Sequence, residues 1–210
     1  MSTSISPREN KSKFFHAAES AFDIVAVASS AGGLNALKIL LSGIPDKFPG
    51  AFVIVQHLAP SRPSQMVDIL KNKTGLIVKE ASQGAFLAAH TAFLAPPDAH
   101  VLVTGEGKIS LTHTAQVNFV RPSADLLFES LAKSYRSRVI GVVLTGKGTD
   151  GTNGIKAIKR SGGIVIAQDE ASSDYFDMPS SAIRTGCVDY ILPLDKISPT
   201  ILDLFTGASR

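Results

Sequence analysis

DIVAVASSAGGLNAL, Asp23–Leu37, is an apolar run that stops on two serines, passes two glycines and continues into a helical pattern. Ile24, Val25 and Val27 read as a buried strand, and the helix runs from about residue 33 to 43, so the stretch is strand, tight turn, helix. That is the opening unit of a parallel sheet covered on both faces. The turn has two readings. Gly admits unusual backbone angles and Ser caps helix starts, so SSAGG can be plain punctuation. Alternatively, a serine at a strand-to-helix corner with small neighbours is a reactive alcohol that a substrate carbonyl can approach.

The same alternation continues along the chain. Strands are expected at DIVAVA, AFVIVQ, VIGVVLT and GIVIAQD and near VDYIL, with helices near 33–43, 64–73, 123–135, 152–161, 179–185 and 195–205. The third helix starts with Pro122 and Ser123 at its cap. Between about 76 and 114 the runs LIVKEA, GAFLAA, TAFLAP, HVLVT and KISLTHT read as antiparallel hairpins on one side of the sheet, with GEGK at 105–108 as a hairpin turn. The expected fold is α/β: a doubly wound, mostly parallel sheet with an antiparallel hairpin section, in three α/β/α layers. Residues 1–20 read as a flexible polar tail and 21–210 as one domain.

Composition narrows the function classes. Of 210 residues, 44% are hydrophobic and 19% charged, which is the profile of a globular chain. The net charge of +3 is scattered, so no nucleic-acid partner is expected. The single cysteine, Cys187, forms no internal disulfide, which suits a reducing compartment, and its apolar surroundings point to a buried, inert thiol. No run has the length of a membrane span and no secretory signal precedes the first strand, so a cytoplasmic protein that is not membrane-embedded is expected.

In an open α/β sheet, ligands sit outside the carboxyl ends of the strands. There the first strand carries Ser29 and Ser30, the second Gln56 and His57, and VIGVVLT runs into GKGTDG with Asp150. Each residue alone has a commonplace reading: a cap, a structural imidazole, a turn carboxylate. Their common edge makes the inventory of a Ser-His-Asp triad. Ser30 is favoured over Ser29, because a nucleophile elbow needs small residues two positions either side; Ser30 has Ala28 and Gly32, Ser29 has Val27 and Ala31. The backbone N–H groups of Ala31 and Lys147 are the candidate oxyanion donors. A rival reading uses Gly146, Gly148 and Gly151 as a dinucleotide fingerprint with Asp169 closing the next strand. Against it, Asp150 would repel a pyrophosphate, and only about 60 residues follow for a second half. On these residues alone the two readings stand nearly even. Of the remaining candidates, His100 reads as a structural hydrogen-bond partner ahead of a residue lining the site, Asp125 as a structural partner or a rim residue, Arg121 as a salt bridge holding its loop ahead of a contact to an acidic surface, and Gln168, Asp169 or Glu170 as support for the site. His90 and His113 read as surface or pairing residues, and no spacing suggests a metal cluster.

Seven ordered motifs add a resemblance: ASSAGG at 28–33, VQH at 55–57, FLAPPDAHV at 93–101, RPSADLLFESLA at 121–132, LTGKGTDG at 144–151, AQDEASS at 167–173 and MPSSAI at 178–183. From about Asp23 to Leu194 the chain resembles the catalytic domain of the CheB-type chemotaxis protein-glutamate methylesterases. The resemblance implies a modified doubly wound fold and a serine esterase that hydrolyses glutamate γ-methyl esters on chemoreceptor helices, releasing methanol, often with deamidation of selected receptor glutamines; the alternative from another class is a catalytically silent receptor-binding module that keeps the fold. The family's nucleophile falls on Ser30, its histidine on His57 and its aspartate on Asp150. No metal or organic cofactor is implied. Lys147 stands where the family usually has Met. Family members often carry a receiver domain; none is expected in the roughly 20 residues before the first strand, which leaves open a stand-alone enzyme, a domain of a longer protein or a relative serving another receptor system, with a receiver in trans as one candidate partner.

Overall fold

The computed structural model describes residues 22–57 and 65–207; the tail expected at 1–20 lies outside the described residues. Strand β1 (Ile24–Ser29) is buried along its whole length. Its side chains alternate: Ile24, Ala26 and Ala28 enter one apolar cluster, Val25 and Val27 another. A strand with two apolar faces must be covered on both. Helix α1 (Gly33–Ser42) begins that cover by turning Leu37, Leu40 and Leu41 onto the Val25 face.

The remaining elements repeat this logic. They are β2 (Ala51–Gln56), α2 (Met66–Lys71), β3 (Ile77–Glu80), β4 (Thr91–Leu94), β5 (His100–Val103), β6 (Ile109–Thr112), α3 (Ala124–Tyr135), β7 (Val139–Val143), α4 (Thr152–Arg160), β8 (Ile164–Gln168), α5 (Asp177–Ile183), β9 (Tyr190–Leu192) and α6 (Leu194–Thr206). Seven strands form one sheet in the order β3-β4-β2-β1-β7-β8-β9, and every pairing in it is parallel. Residues of α1, α2 and α6 pack on one face; residues of α3, α4, α5 and the β5–β6 hairpin pack on the other. The strand order reverses between β1 and β7, so the doubly wound sheet has its topological switch point there. Among the described residues no helix is long and apolar enough to cross a membrane.

One expectation is corrected. Of the runs between 76 and 114, only HVLVT and KISLTHT form an antiparallel hairpin, β5 with β6. LIVKEA and TAFLAP supply β3 and β4, which pair in parallel and extend the main sheet, while GAFLAA contributes a single bridge, Phe86 to Lys108. The reason is burial on both sides: Ala92 and Leu94 enter one core and Phe93 the other. A strand buried on both faces belongs inside a sheet, which a peripheral hairpin cannot provide.

The layer over the Ala28 face depends on a close approach of α3 to α4. A Cβ on Gly154 would stand 2.5 Å from the Phe128 Cβ and 3.1 Å from the Asp125 backbone, none of which can swing aside. Gly154→Val is therefore expected to lower the unfolding free energy by about 1–3 kcal/mol, read as a reduced Tm.

Candidate active site

Three strand tips meet at the switch point. Ser29 is in register with Gln56, so Ser30 and His57 leave adjacent strands side by side, on backbones about 4.8 Å apart. The tips are tied together. The His57 N–H donates to the Ser29 carbonyl (3.0 Å), and the Gln56 amide donates to the carbonyls of Ser30 (2.7 Å) and His57 (3.0 Å). On the other side, the Ser30 N–H donates to the Thr145 carbonyl beyond β7 (3.1 Å).

These bonds separate the two serines. Ser29 is fully buried and its hydroxyl donates to Gln56 Oε1 at 2.7 Å. Ser30 is half-buried and lines an open cavity of about 300 Å³ together with Gly32, Gly33, Gln56 and Met66. Neither hydroxyl caps α1; its N-cap is Gly32, at φ 78° with no side-chain cap bond. Gly146 makes the approach of the β7 loop possible, since a Cβ there would lie 2.8 Å from the Ser30 Cβ and collide with the Met178 sulfur.

His57 and Asp150 are in direct contact, Nε2 to Oδ2 at 2.8 Å, with side chains 12% and 3% exposed. That bond occupies Nε2 and leaves Nδ1 as the nitrogen available to take a proton. Among the described residues the Ser30 hydroxyl and the ring are not hydrogen-bonded to each other; such bonds commonly tighten only when substrate binds.

Asp150 has further partners that the sequence did not disclose. Its Oδ1 accepts the Ser123 hydroxyl (2.8 Å) and the Asp125 N–H (3.2 Å), and its Oδ2 accepts the Ala124 N–H (2.6 Å). Ser123 does sit at the N-cap of α3, but its side chain makes no cap bond; the cap is Asp150. Burial works against the charge on Asp150, but the His57 bond, the Ala124 N–H and the Ser123 hydroxyl outweigh it and hold the carboxyl below its ordinary pKa. His100, fully buried, accepts the Ser123 N–H at Nδ1 (3.1 Å) and bonds the Ala115 carbonyl through Nε2 (3.1 Å). It is thus a structural support one step behind the carboxylate.

The other candidates fall into place around this centre. Asp125 Oδ1 accepts the N–H groups of Asn153 and Gly154 (both 2.8 Å) and its Oδ2 the Asn118 amide (2.9 Å). Burial raises its pKa against the pull of the Gly154 N–H, and the charge of Asp150 raises it further. Arg121 grips Asp98 (2.6 and 2.9 Å) and the carbonyls of His113 and Thr114. Gln168 accepts the Thr145 N–H at 2.8 Å, holding the start of the β7 loop. The N–H groups of Ala31 and Lys147 make no backbone hydrogen bond among the described residues. The Lys147 ammonium lies 4.7 Å from the centre of the Tyr175 ring. Cys187 is half-buried, 3.7 Å from the Thr185 carbonyl, and so less enclosed than its apolar neighbours suggested.

The glycines of GKGTDG serve this architecture. Gly146 admits Ser30, and Gly148 and Gly151 take φ of 91° and 94°, the latter as N-cap of α4. Asp169, required on a ribose by the dinucleotide reading, is engaged by the N–H and hydroxyl of Ser172 (3.0 and 2.6 Å). That reading is not favoured.

An alcohol, an imidazole and a buried carboxylate thus stand at the switch point of a doubly wound, parallel α/β sheet. The CheB methylesterase family model matches residues 25–201, and the chain belongs to that family. The protein-glutamate methylesterase/protein-glutamine glutaminase of Moorella thermoacetica is 40% identical over 89% of this chain and 45% of its own length. A relative from Leptospira interrogans is 36% identical over 87% of this chain and 95% of its own. The chain thus spans about half of the first relative and nearly all of the second. The crystal structure of the Thermotoga maritima CheB methylesterase catalytic domain superposes with a TM-score of 0.84 at 36% identity, covering 87% of this chain and 98% of that one.

The depressed pKa of Asp150 has a consequence for stability. A carboxyl whose folded pKa lies below its unfolded value of about 3.9 contributes fully above that value and loses its contribution as pH falls through the folded pKa. Chemical denaturation should show the wild type losing stability below about pH 4 more steeply than Asp150→Asn. At pH 7 that variant should be roughly 1–3 kcal/mol less stable, because its amide cannot replace every accepted bond.

Proposed function

We propose that this chain is a serine esterase that hydrolyses glutamate γ-methyl esters on chemoreceptor proteins, and that it deamidates receptor glutamines by the same route. The observation that carries the reading is the 2.8 Å bond between His57 Nε2 and Asp150 Oδ2 at the strand tip adjoining Ser30. It holds the imidazole in the tautomer whose free nitrogen can accept the serine proton.

In this mechanism the Ser30 Oγ attacks the ester carbonyl carbon while its proton passes to Nδ1 of His57. The negative charge that develops on the carbonyl oxygen is met by the N–H groups of Ala31 and Lys147, both free of backbone partners. Asp150, kept ionised by its donors, stabilises the imidazolium. Collapse of the tetrahedral intermediate breaks the bond to methoxide, which leaves as methanol with the proton from His57. Water then attacks the acyl-enzyme, gives its proton to His57, and the free glutamate carboxylate departs as Ser30 recovers its hydrogen. With glutamine in place of the ester, ammonia leaves instead. The substrate receptor would be reached from the cytoplasm, and a receiver domain is the proposed regulator.

Methanol release from methylated receptor tests the proposal. Ser30→Ala should lower it by at least about a thousandfold, and His57→Ala by a comparable factor, with the double variant little worse than either alone. A fluorophosphonate probe should label the wild type and leave Ser30→Ala unlabelled. Unchanged methanol release in Ser30→Ala would overturn the assignment.

A further inference from the structure

The turn between β6 and α3 holds a residue that the fold itself does not explain. Val117 and Val120 exchange two backbone hydrogen bonds (3.0 and 3.2 Å) around a two-residue turn. Its central residues, Asn118 and Phe119, both have positive φ, 51° and 63°. Such a turn takes Asn readily at the first position and favours Gly at the second. Here the second is Phe, in a backbone region that bulky side chains rarely adopt, and it is 95% exposed. Neither burial nor backbone preference accounts for an aromatic ring at this position.

The turn is fixed relative to the site. The Asn118 amide bonds Asp125 (2.9 Å), and the Asp125 N–H bonds Asp150 (3.2 Å). Arg121, on the far side of the turn, is clamped to Asp98 and to two carbonyls. Phe119 therefore projects from a braced support whose other end is the carboxylate that holds His57. In the loop that carries Asp150, Lys147 is exposed, stacked on the exposed Tyr175 ring, and no carboxylate pairs with it among the described residues. An exposed aromatic on a turn bonded to Asp150 through Asp125, and an unpaired cation three residues before Asp150, complement a protein surface that offers apolar side chains beside acidic ones. A polypeptide bearing glutamyl esters and glutamates has that character.

We infer that Phe119 is an anchoring residue for the protein that carries the scissile ester, docking against its apolar side chains while Lys147 faces its carboxylates. The inference rests on the esterase reading for the identity of this partner. It concerns binding of the protein and leaves the reaction at Ser30 untouched. An aromatic anchor of this kind typically accounts for tenfold or more in affinity.

The test compares wild type with Phe119→Ser and Phe119→Gly, using binding to a methylated receptor cytoplasmic fragment and hydrolysis of the small γ-methyl ester of N-acetylglutamate. Both variants are expected to raise Kd for the fragment by about tenfold or more, to leave small-ester turnover unchanged, and to keep Tm at or above the wild-type value, Phe119→Gly most clearly because the turn then holds its preferred residue. Added salt should weaken fragment binding less in Lys147→Met than in wild type. Unchanged Kd in both Phe119 variants overturns the inference, as does equal loss on the small ester. So does a wild-type dimer that Phe119→Ser dissociates, since the ring would then pack on a second copy of this chain. A wild type that binds the fragment through Phe119 but cleaves neither ester would refute the esterase reading and leave this docking surface standing.

Discussion

Everything at this site hangs on one buried carboxylate that ends a helix to which it does not belong. Asp150 lies in the loop leading into α4, yet it accepts the Ala124 and Asp125 N–H groups at the start of α3. Asp125, in the first turn of α3, returns the bond by accepting the Asn153 and Gly154 N–H groups at the start of α4. Each helix thus has its orphan N-terminal donors satisfied by the other's acid, where the helix dipole favours a negative charge. A carboxylate this deeply buried is costly unless its lone pairs are filled. Four donors fill them: two backbone N–H groups, the Ser123 hydroxyl and the His57 ring. The position of the imidazole follows from that arrangement, because Asp150 cannot rotate without breaking the caps.

The reciprocal exchange also explains why the two acids behave differently. Asp150 faces His57 as well as its N–H donors, so its ionised form prevails despite burial. Asp125 has no imidazole partner of this kind and sits beside Asp150, so burial dominates and its carboxyl is harder to ionise. Only a close approach of α3 and α4 permits the exchange, and Gly154 against Phe128 provides it. Core packing and the chemistry of the site are therefore linked through a single helix contact.

The alcohol is placed by different means. Parallel register sets Ser30 next to His57, and the Gln56 side chain binds both of their carbonyls. Missing side chains matter as much as those present: Gly146 and Gly32 let the β7 loop and Asp174 crowd the serine corner. The result is an open cavity of about 300 Å³ above the serine corner.

The alternation of apolar runs with helical spacing was enough to predict the doubly wound sheet, because burying a strand on both faces forces uninterrupted Val and Ile runs such as those of β1 and β2. It also placed Ser30, His57 and Asp150 on one edge, since residues that follow parallel strands must emerge at the same end. TAFLAP was misread because a four-residue apolar run carries no mark of which neighbour it pairs with, and its place beside β2 is settled by contacts distant in the chain. The caps exchanged by Asp150 and Asp125 were equally hidden. Each bond joins residues 25 to 29 positions apart, and local sequence reports only what a residue does to its own turn. Sequence by itself determined the sheet, its edge and the inventory of reactive groups. Tertiary structure alone decided which nitrogen of His57 remains free and which acid stays charged, because those outcomes depend on burial and hydrogen bonds between segments that meet only on folding.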